Sequence, residues 1–166
     1  NPNRNAGWTQ ADAEAAFARA FGATRTIWLG EGLANDHTDG HVDNLARFVA
    51  PGVAVCPVAY GRGDVNADAY DDAARRLAEA GLKVVRVPSP GWIESAEGGP
   101  APASHMNFII ANGAVVMPTY KPGQAAELAA QALQSVFPGR KVISLPSNAI
   151  LTGGGSFHCI TQQEPA

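Results

Sequence analysis

Apolar residues along this chain fall into short runs broken by Pro and Gly, and two stretches follow the same order. Residues 44–61 read N-L-A-R-F-V-A-P-G-V-A-V-C-P-V-A-Y-G, and residues 107–123 read N-F-I-I-A-N-G-A-V-V-M-P-T-Y-K-P-G. Each is an apolar run, a tight turn at Pro51-Gly52 or Asn112-Gly113, a second apolar run, then a closing Pro57 or Pro118. Such runs predict hairpins, and Asn-Gly predicts a type I′ turn, which requires positive φ at both positions. A helix follows each hairpin. Residues 68–80 bury Leu77 and several alanines before Gly81, a natural C′ residue. Residues 125–137 bury Leu128, Leu133 and Phe137 before Pro138-Gly139. The runs K-V-V-R-V-P (83–88) and K-V-I-S-L-P (141–146) are then strands. The unit is β-β-α-β, it occurs twice, and the chain is α/β.

The flanks read as pieces of the same unit. Thr9 and Asp12 predict a capping box that opens a helix through Phe21, with Gly22 as its stop. Residues 26–29, T-I-W-L, are the strand expected next. Residues 1–4 stand where the other units have a hairpin exit, and residues 150–162 read as a strand of an unfinished unit. The expected organisation is one domain portion over residues 1–166. It has partial modules at 1–31 and 150–166 and complete ones at 44–88 and 107–146. The chain thus begins in mid-module and reads as a truncated or processed product of a longer protein.

Composition narrows the function. At 46% apolar and 16% charged residues the chain is that of a compact globule. A net charge of -3 without a Lys/Arg cluster argues against nucleic acid and is compatible with a cationic ligand. No apolar run reaches the roughly 18 residues of a membrane span, and no basic-then-apolar leader opens the chain. The two cysteines are too few for a disulfide framework, so the economical reading is a reduced, cytoplasmic protein. Of the two, Cys56 lies in an apolar strand and reads as inert core.

Two segments do not look like scaffold. G-L-A-N-D-H-T-D-G-H-V-D-N (32–44) crowds Asp36, His37, Asp39, His41 and Asp43 just before an apolar run. Polar side chains at that density belong to a loop set on a rigid element. His41 and Asp43 are two apart and share a face if locally extended, which suits a proton shuttle beside a carboxylate. L-T-G-G-G-S-F-H-C-I-T-Q-Q (151–163) places Cys159 shortly after Gly153, Gly154 and Gly155, where backbone can come close to a ligand. A nearby His or a nest of backbone N–H groups would give that thiol thiolate character. His37 and His41 at i, i+4, with His158 and Cys159, also have the composition of a zinc site, but Gly40 and the strand that follows oppose the helix it needs. For His105 the plainer role is a hydrogen bond within a loop.

Together, N-D-H-T-D-G-H-V-D-N and G-G-G-S-F-H-C-I-T-Q-Q resemble the paired signatures of the agmatine deiminase family and of the related bacterial peptidyl-arginine deiminases. N-P-N-R-N, I-W-L and S-H-M-N-F with its N-G turn match in the same order, so the likeness spans essentially the whole chain. It implies the pentein fold, an α/β propeller of five β-β-α-β modules around a central site, of which this chain would be about half. It also implies Cys159 as nucleophile, His41 as acid/base and Asp43 as the carboxylate that binds guanidinium. From position alone, Asp36 is expected at the amine end of the substrate, and Gly153, Gly154 and Gly155 where the backbone can approach it. The chemistry is consistent with these roles. A guanidinium is planar, cationic and poorly electrophilic, so a thiolate must attack its carbon while carboxylates hold its N–H edges. No metal or organic cofactor is required.

The sequence departs from the family pattern at Ser156, where relatives often carry Asn, and at His105, where Tyr is frequent. A second guanidinium-binding Asp, a Glu and aromatic pocket residues would come from the N-terminal half. The expected reaction is agmatine to N-carbamoylputrescine and ammonia, a step of putrescine and polyamine synthesis. Deimination of peptidyl-arginine is the alternative, and a non-catalytic half-propeller that assembles with a partner or a second copy is the contrasting one. Residues 89–104 are long for a connection and read either as a rim or lid or as a plain surface loop.

Overall fold

The computed structural model describes residues 5–164. In chain order, helix α1 is Gln10–Phe21, strands β1 and β2 are Arg47–Ala50 and Val53–Val58, α2 is Ala67–Glu79 and β3 is Lys83–Pro88. Then come β4 at Ile109–Ile110, β5 at Ala114–Thr119, α3 at Gln124–Val136, β6 at Lys141–Pro146 and the short α4 at Asn148–Leu151. They form two three-stranded sheets, β1-β2-β3 and β4-β5-β6. In each, an antiparallel hairpin is followed by a helical crossover to a parallel strand, with Val53 opposite Lys83 and Ala114 opposite Lys141. The doubled β-β-α-β unit is therefore present, with both crossover helices displaced by one residue from their predicted limits, within the usual fraying of helix ends.

Burial explains how the two units lock. Val55 and Val87 of the first sheet, Val115 and Met117 of the second, and Ala129 and Leu133 of α3 share one buried cluster with Met106, Phe108 and Phe137. Helix α3 thus packs on β3 of the other unit as well as on its own β6. Its inward face is Ala125, Ala129 and Leu133, spaced by four. Leu128 lies off that stripe and is 37% exposed, contrary to the sequence expectation. Helix α2 covers the other side of the first sheet with Ala73, Ala74 and Leu77 over Ala54 and Cys56.

Helix α1 begins at the predicted capping box: Thr9 Oγ1 accepts from the Asp12 N–H at 3.2 Å and Asp12 accepts from the Thr9 N–H at 2.8 Å. Gly22 closes it at φ 66°.

Three local expectations fail. Residues 26–29 form no strand; Ile27 and Leu29 pack on the α2 cluster while Trp28 points outward, 39% exposed. Alternating burial, rather than ladder hydrogen bonding, produced the strand-like pattern. Residues 150–162 also form no strand: α4 runs into turns because the amides of His158 and Cys159 bond to Asn107 rather than to a neighbouring strand. Finally, neither Asn112 nor Gly113 has positive φ, so the turn before β5 is not type I′. The Ala111 N–H to Ala114 carbonyl bond at 2.8 Å closes it instead. Residues 1–4, read as a hairpin exit, lie outside the described residues.

Candidate functional site

The polar seam lies where three connections meet: residues 32–44 before β1, residues 104–108 before β4, and residues 153–159 after α4. Residues Val42–Asn44 form a 3-10 turn rather than an extended stretch, so His41 and Asp43 do not share a face. Asp43 turns inward at 9% exposure, while His41 stays exposed and its ring makes no hydrogen bond among the described residues. The turn starts beyond a close approach of two glycines: a Cβ at Gly32 would lie 2.4 Å from the Gly40 Cα. Any side chain at position 32 would push the loop away from its bend.

Asp43 is the charge at the centre of the seam. Its Oδ2 accepts from Asn107 Nδ2 at 3.0 Å, from His158 Nδ1 at 2.6 Å and from Cys159 Sγ at 3.4 Å. Its Oδ1 is buried and has no hydrogen-bond partner. A buried carboxylate oxygen in that state is costly, of order 1–3 kcal/mol, until a donor reaches it. The arrangement therefore leaves a buried acceptor without a donor on the carboxylate that contacts the thiol.

Cys159 is exposed, and its Sγ lies 3.1 Å from Asn107 Nδ2. Desolvation pushes its thiol up from the ordinary value, the Ser156 amide and Asn107 pull it down, and the charge of Asp43 raises it further. Together these influences hold the Cys159 thiol above its ordinary value in this arrangement. Cys56 contrasts with it, being fully buried under α2, with burial raising its thiol to about 11.

The three glycines do separate jobs. The Gly153 and Gly154 N–H groups close the end of α4 on the Ile150 and Leu151 carbonyls at 2.9 Å, so neither is a free anion nest. Gly154 sits at φ +89°, and a Cβ there would lie 2.0 Å from His37 Nε2. A Cβ at Gly155 would fall 2.8 Å from Cys159 Sγ, so its absence makes the room the sulfur occupies. Asp36 holds the Thr38 N–H and hydroxyl with Oδ1 at 2.9 and 2.5 Å, and its Oδ2 is buried without a partner.

Asp36 and His37 line a cavity of about 680 Å³ together with Glu94 and Glu97. Those two glutamates belong to residues 89–104, which do not hang free: Ile93, Ala101 and Ala103 pack on Tyr120 and Leu151, and Glu94 bridges to Pro100. The segment thus lines the cavity and is anchored on Tyr120 and Leu151.

His105 and Ser156, the departures from the family pattern, are both buried. The His105 Nδ1–H donates to the Pro88 carbonyl at 2.8 Å and its ring stacks on Tyr120 at 6.3 Å. Burial lowers its pKa to about 4. Ser156 pairs with Ser147 at 2.6 Å. Two contacts were not expected from the sequence, that of His158 with Asp43, where His158 was considered only as a zinc ligand, and that of Asn107 with the thiol. Their signals were adjacency to Cys159 and the S-H-M-N-F motif.

Fold and seam define a class: paired β-β-α-β units that meet at an exposed cysteine beside a buried carboxylate. The model of the Porphyromonas-type peptidyl-arginine deiminase family matches residues 1–165, and the chain belongs to that family. It is 37% identical over its whole length to the agmatine deiminases of Ectopseudomonas mendocina and Pseudomonas aeruginosa, covering 51% of each. The solved structure of an Enterococcus faecalis agmatine deiminase superposes on 99% of the chain with a TM-score of 0.89 and 30% identity, and the chain covers 51% of it. The chain spans about half the length of the curated relatives it matches. Among the described residues, no helix is long and apolar enough to cross a membrane.

Proposed function

We propose that this chain supplies the nucleophile and one guanidinium-binding carboxylate of a hydrolytic deiminase that converts agmatine to N-carbamoylputrescine and ammonia. The observation that carries the reading is the unpartnered Oδ1 of Asp43, on the carboxylate whose Oδ2 contacts the Cys159 thiol. A guanidinium N–H edge is a donor of the kind that oxygen lacks, and its positive charge offsets the repulsion between carboxylate and thiolate. The sulfur then adds to the guanidinium carbon, the C–N bond to one terminal nitrogen breaks, and ammonia leaves as it takes a proton. A thiouronium on Cys159 remains. Water attacks its carbon, the C–S bond breaks, and the products are the carbamoyl amine and the free thiol.

His41 is the acid/base in this reading, by its place in the family motif. Its exposed ring, free of hydrogen bonds among the described residues, is able to turn toward ammonia and then water. His158, fixed on Asp43, orients the carboxylate. Asp36, with Glu94 and Glu97, favours a small substrate bearing a second positive charge over peptidyl-arginine. The rest of the substrate clamp, and closure of a five-module propeller, fall to an N-terminal half, with putrescine synthesis in the cytoplasm as the setting.

The test uses the full-length protein and iodoacetamide. Cys159 should be labelled at least about tenfold faster than Cys56, and agmatine turnover should fall in step with Cys159 labelling, because Cys56 is buried. Full turnover after complete labelling of Cys159 would refute the reading.

A further inference from the structure

Asn107 joins all three segments of the seam and is completely buried. Its Nδ2 faces Asp43 Oδ2 at 3.0 Å, Asn44 Oδ1 at 3.1 Å and Cys159 Sγ at 3.1 Å. Its Oδ1 accepts the N–H of His158 at 3.0 Å and of Cys159 at 3.2 Å. One carboxamide therefore takes both its acceptor and its donor capacity into the site. The segment carrying Cys159 has no strand partner, so these bonds supply what a ladder would have supplied.

We propose that Asn107 is the positioning residue that sets the Cys159 sulfur against Asp43 and donates a hydrogen bond to that sulfur as it becomes a thiolate. The proposal rests on the reading of Cys159 as nucleophile. Its physical content is geometric. The Oδ1 fixes the backbone from which the thiol projects, while the Nδ2 stands between two groups that repel each other once both are anionic. Other charged or titratable groups around the sulfur are His158 on its own segment, Arg47 of β1 and Tyr120 after β5. Arg47 is committed to the Met106 and Phe108 carbonyls at 3.1 and 2.7 Å, and the Tyr120 hydroxyl to the Ser104 carbonyl at 3.1 Å. Asn107 is the neutral side-chain donor that reaches the thiol among the described residues.

Asn107→Leu keeps the side-chain volume, adds no charge and removes the donor to the sulfur. In the full-length protein, the midpoint of the pH profile for iodoacetamide alkylation of Cys159 should rise by about one pH unit or more. An unchanged midpoint in a folded variant overturns the proposal, since a merely structural role leaves the midpoint where it was. If the variant does not fold, hydrogen exchange on the unsubstituted protein decides. Slow exchange of the His158 and Cys159 amides relative to Gln162 supports the proposal, and equal exchange overturns it. Neither readout needs agmatine, so failure of the nucleophile reading appears separately, as turnover that survives Cys159→Ser.

Discussion

Asp43→Asn should lower kcat/KM for agmatine about a thousandfold and, in the same protein, speed alkylation of Cys159 at neutral pH. The loss follows from exchanging a charged acceptor for a neutral amide where the guanidinium must be held, and removing one such preorganised contact costs about 10²–10³ in rate. The gain has the opposite sign for a clear reason. Asp43 raises the Cys159 thiol both by its charge and by accepting its proton, so neutralising it lets more thiolate form. A simple fold defect would slow both processes, or expose both cysteines together. Parallel measurement of turnover and of labelling at Cys159 and Cys56 checks the prediction, and slower alkylation of Cys159 would be inconsistent with it.

The second expectation concerns acid. His105 is buried against Pro88 and Tyr120, and its pKa falls from the ordinary 6.5 to about 4. A folded-state value below the unfolded one means that the unfolded chain binds the extra proton between those limits. The stability from burying the neutral ring is therefore complete above about pH 6.5 and is lost as pH falls toward about 4. A depression of this size corresponds to about 3 kcal/mol as an upper order of magnitude. His105→Asn retains a donor for the Pro88 carbonyl and removes the titration. In urea unfolding at pH 7 and pH 4.5, full-length protein should lose more stability on acidification than the variant. Equal losses would show that His105 is not the group responsible.

The repeat was legible because Pro and Gly mark its joints. Pro51-Gly52, Gly81, Pro122-Gly123 and Pro138-Gly139 bound elements whose apolar runs left little choice, and the helix ends moved by only one residue. The failures have physical causes. Ile27 and Leu29 alternate with Trp28 because an extended segment lies on a helix-covered core, and a period of two reports burial whether or not a ladder forms. Around Cys159 the alternation of apolar and polar residues again suggested a strand, but Gly154 at positive φ and the Asn107 carboxamide hold turns there.

The candidate site was readable in its chemistry more than in its geometry. The structure brings Asp43 Oδ2 and Cys159 Sγ to 3.4 Å. The 3-10 turn that separates His41 from Asp43 has no marker in H-V-D-N, and the ring found on Asp43 is His158. Asn107 lies 52 residues from Cys159, so only the folded seam reveals what it touches. Its neighbours Met106 and Phe108 are core, and in the sequence S-H-M-N-F stood out only as part of the family likeness.

The central claim, that the Cys159 sulfur forms a bond to the substrate carbon, can be read by mass. Full-length protein mixed with agmatine, quenched in acid within the first turnovers and digested, should yield a Cys159 peptide heavier by agmatine less ammonia. The Cys56 peptide should be unmodified, and the adduct should be absent after Cys159→Ser. Rapid turnover with no adduct on Cys159, together with undiminished activity of Cys159→Ser, would contradict the account.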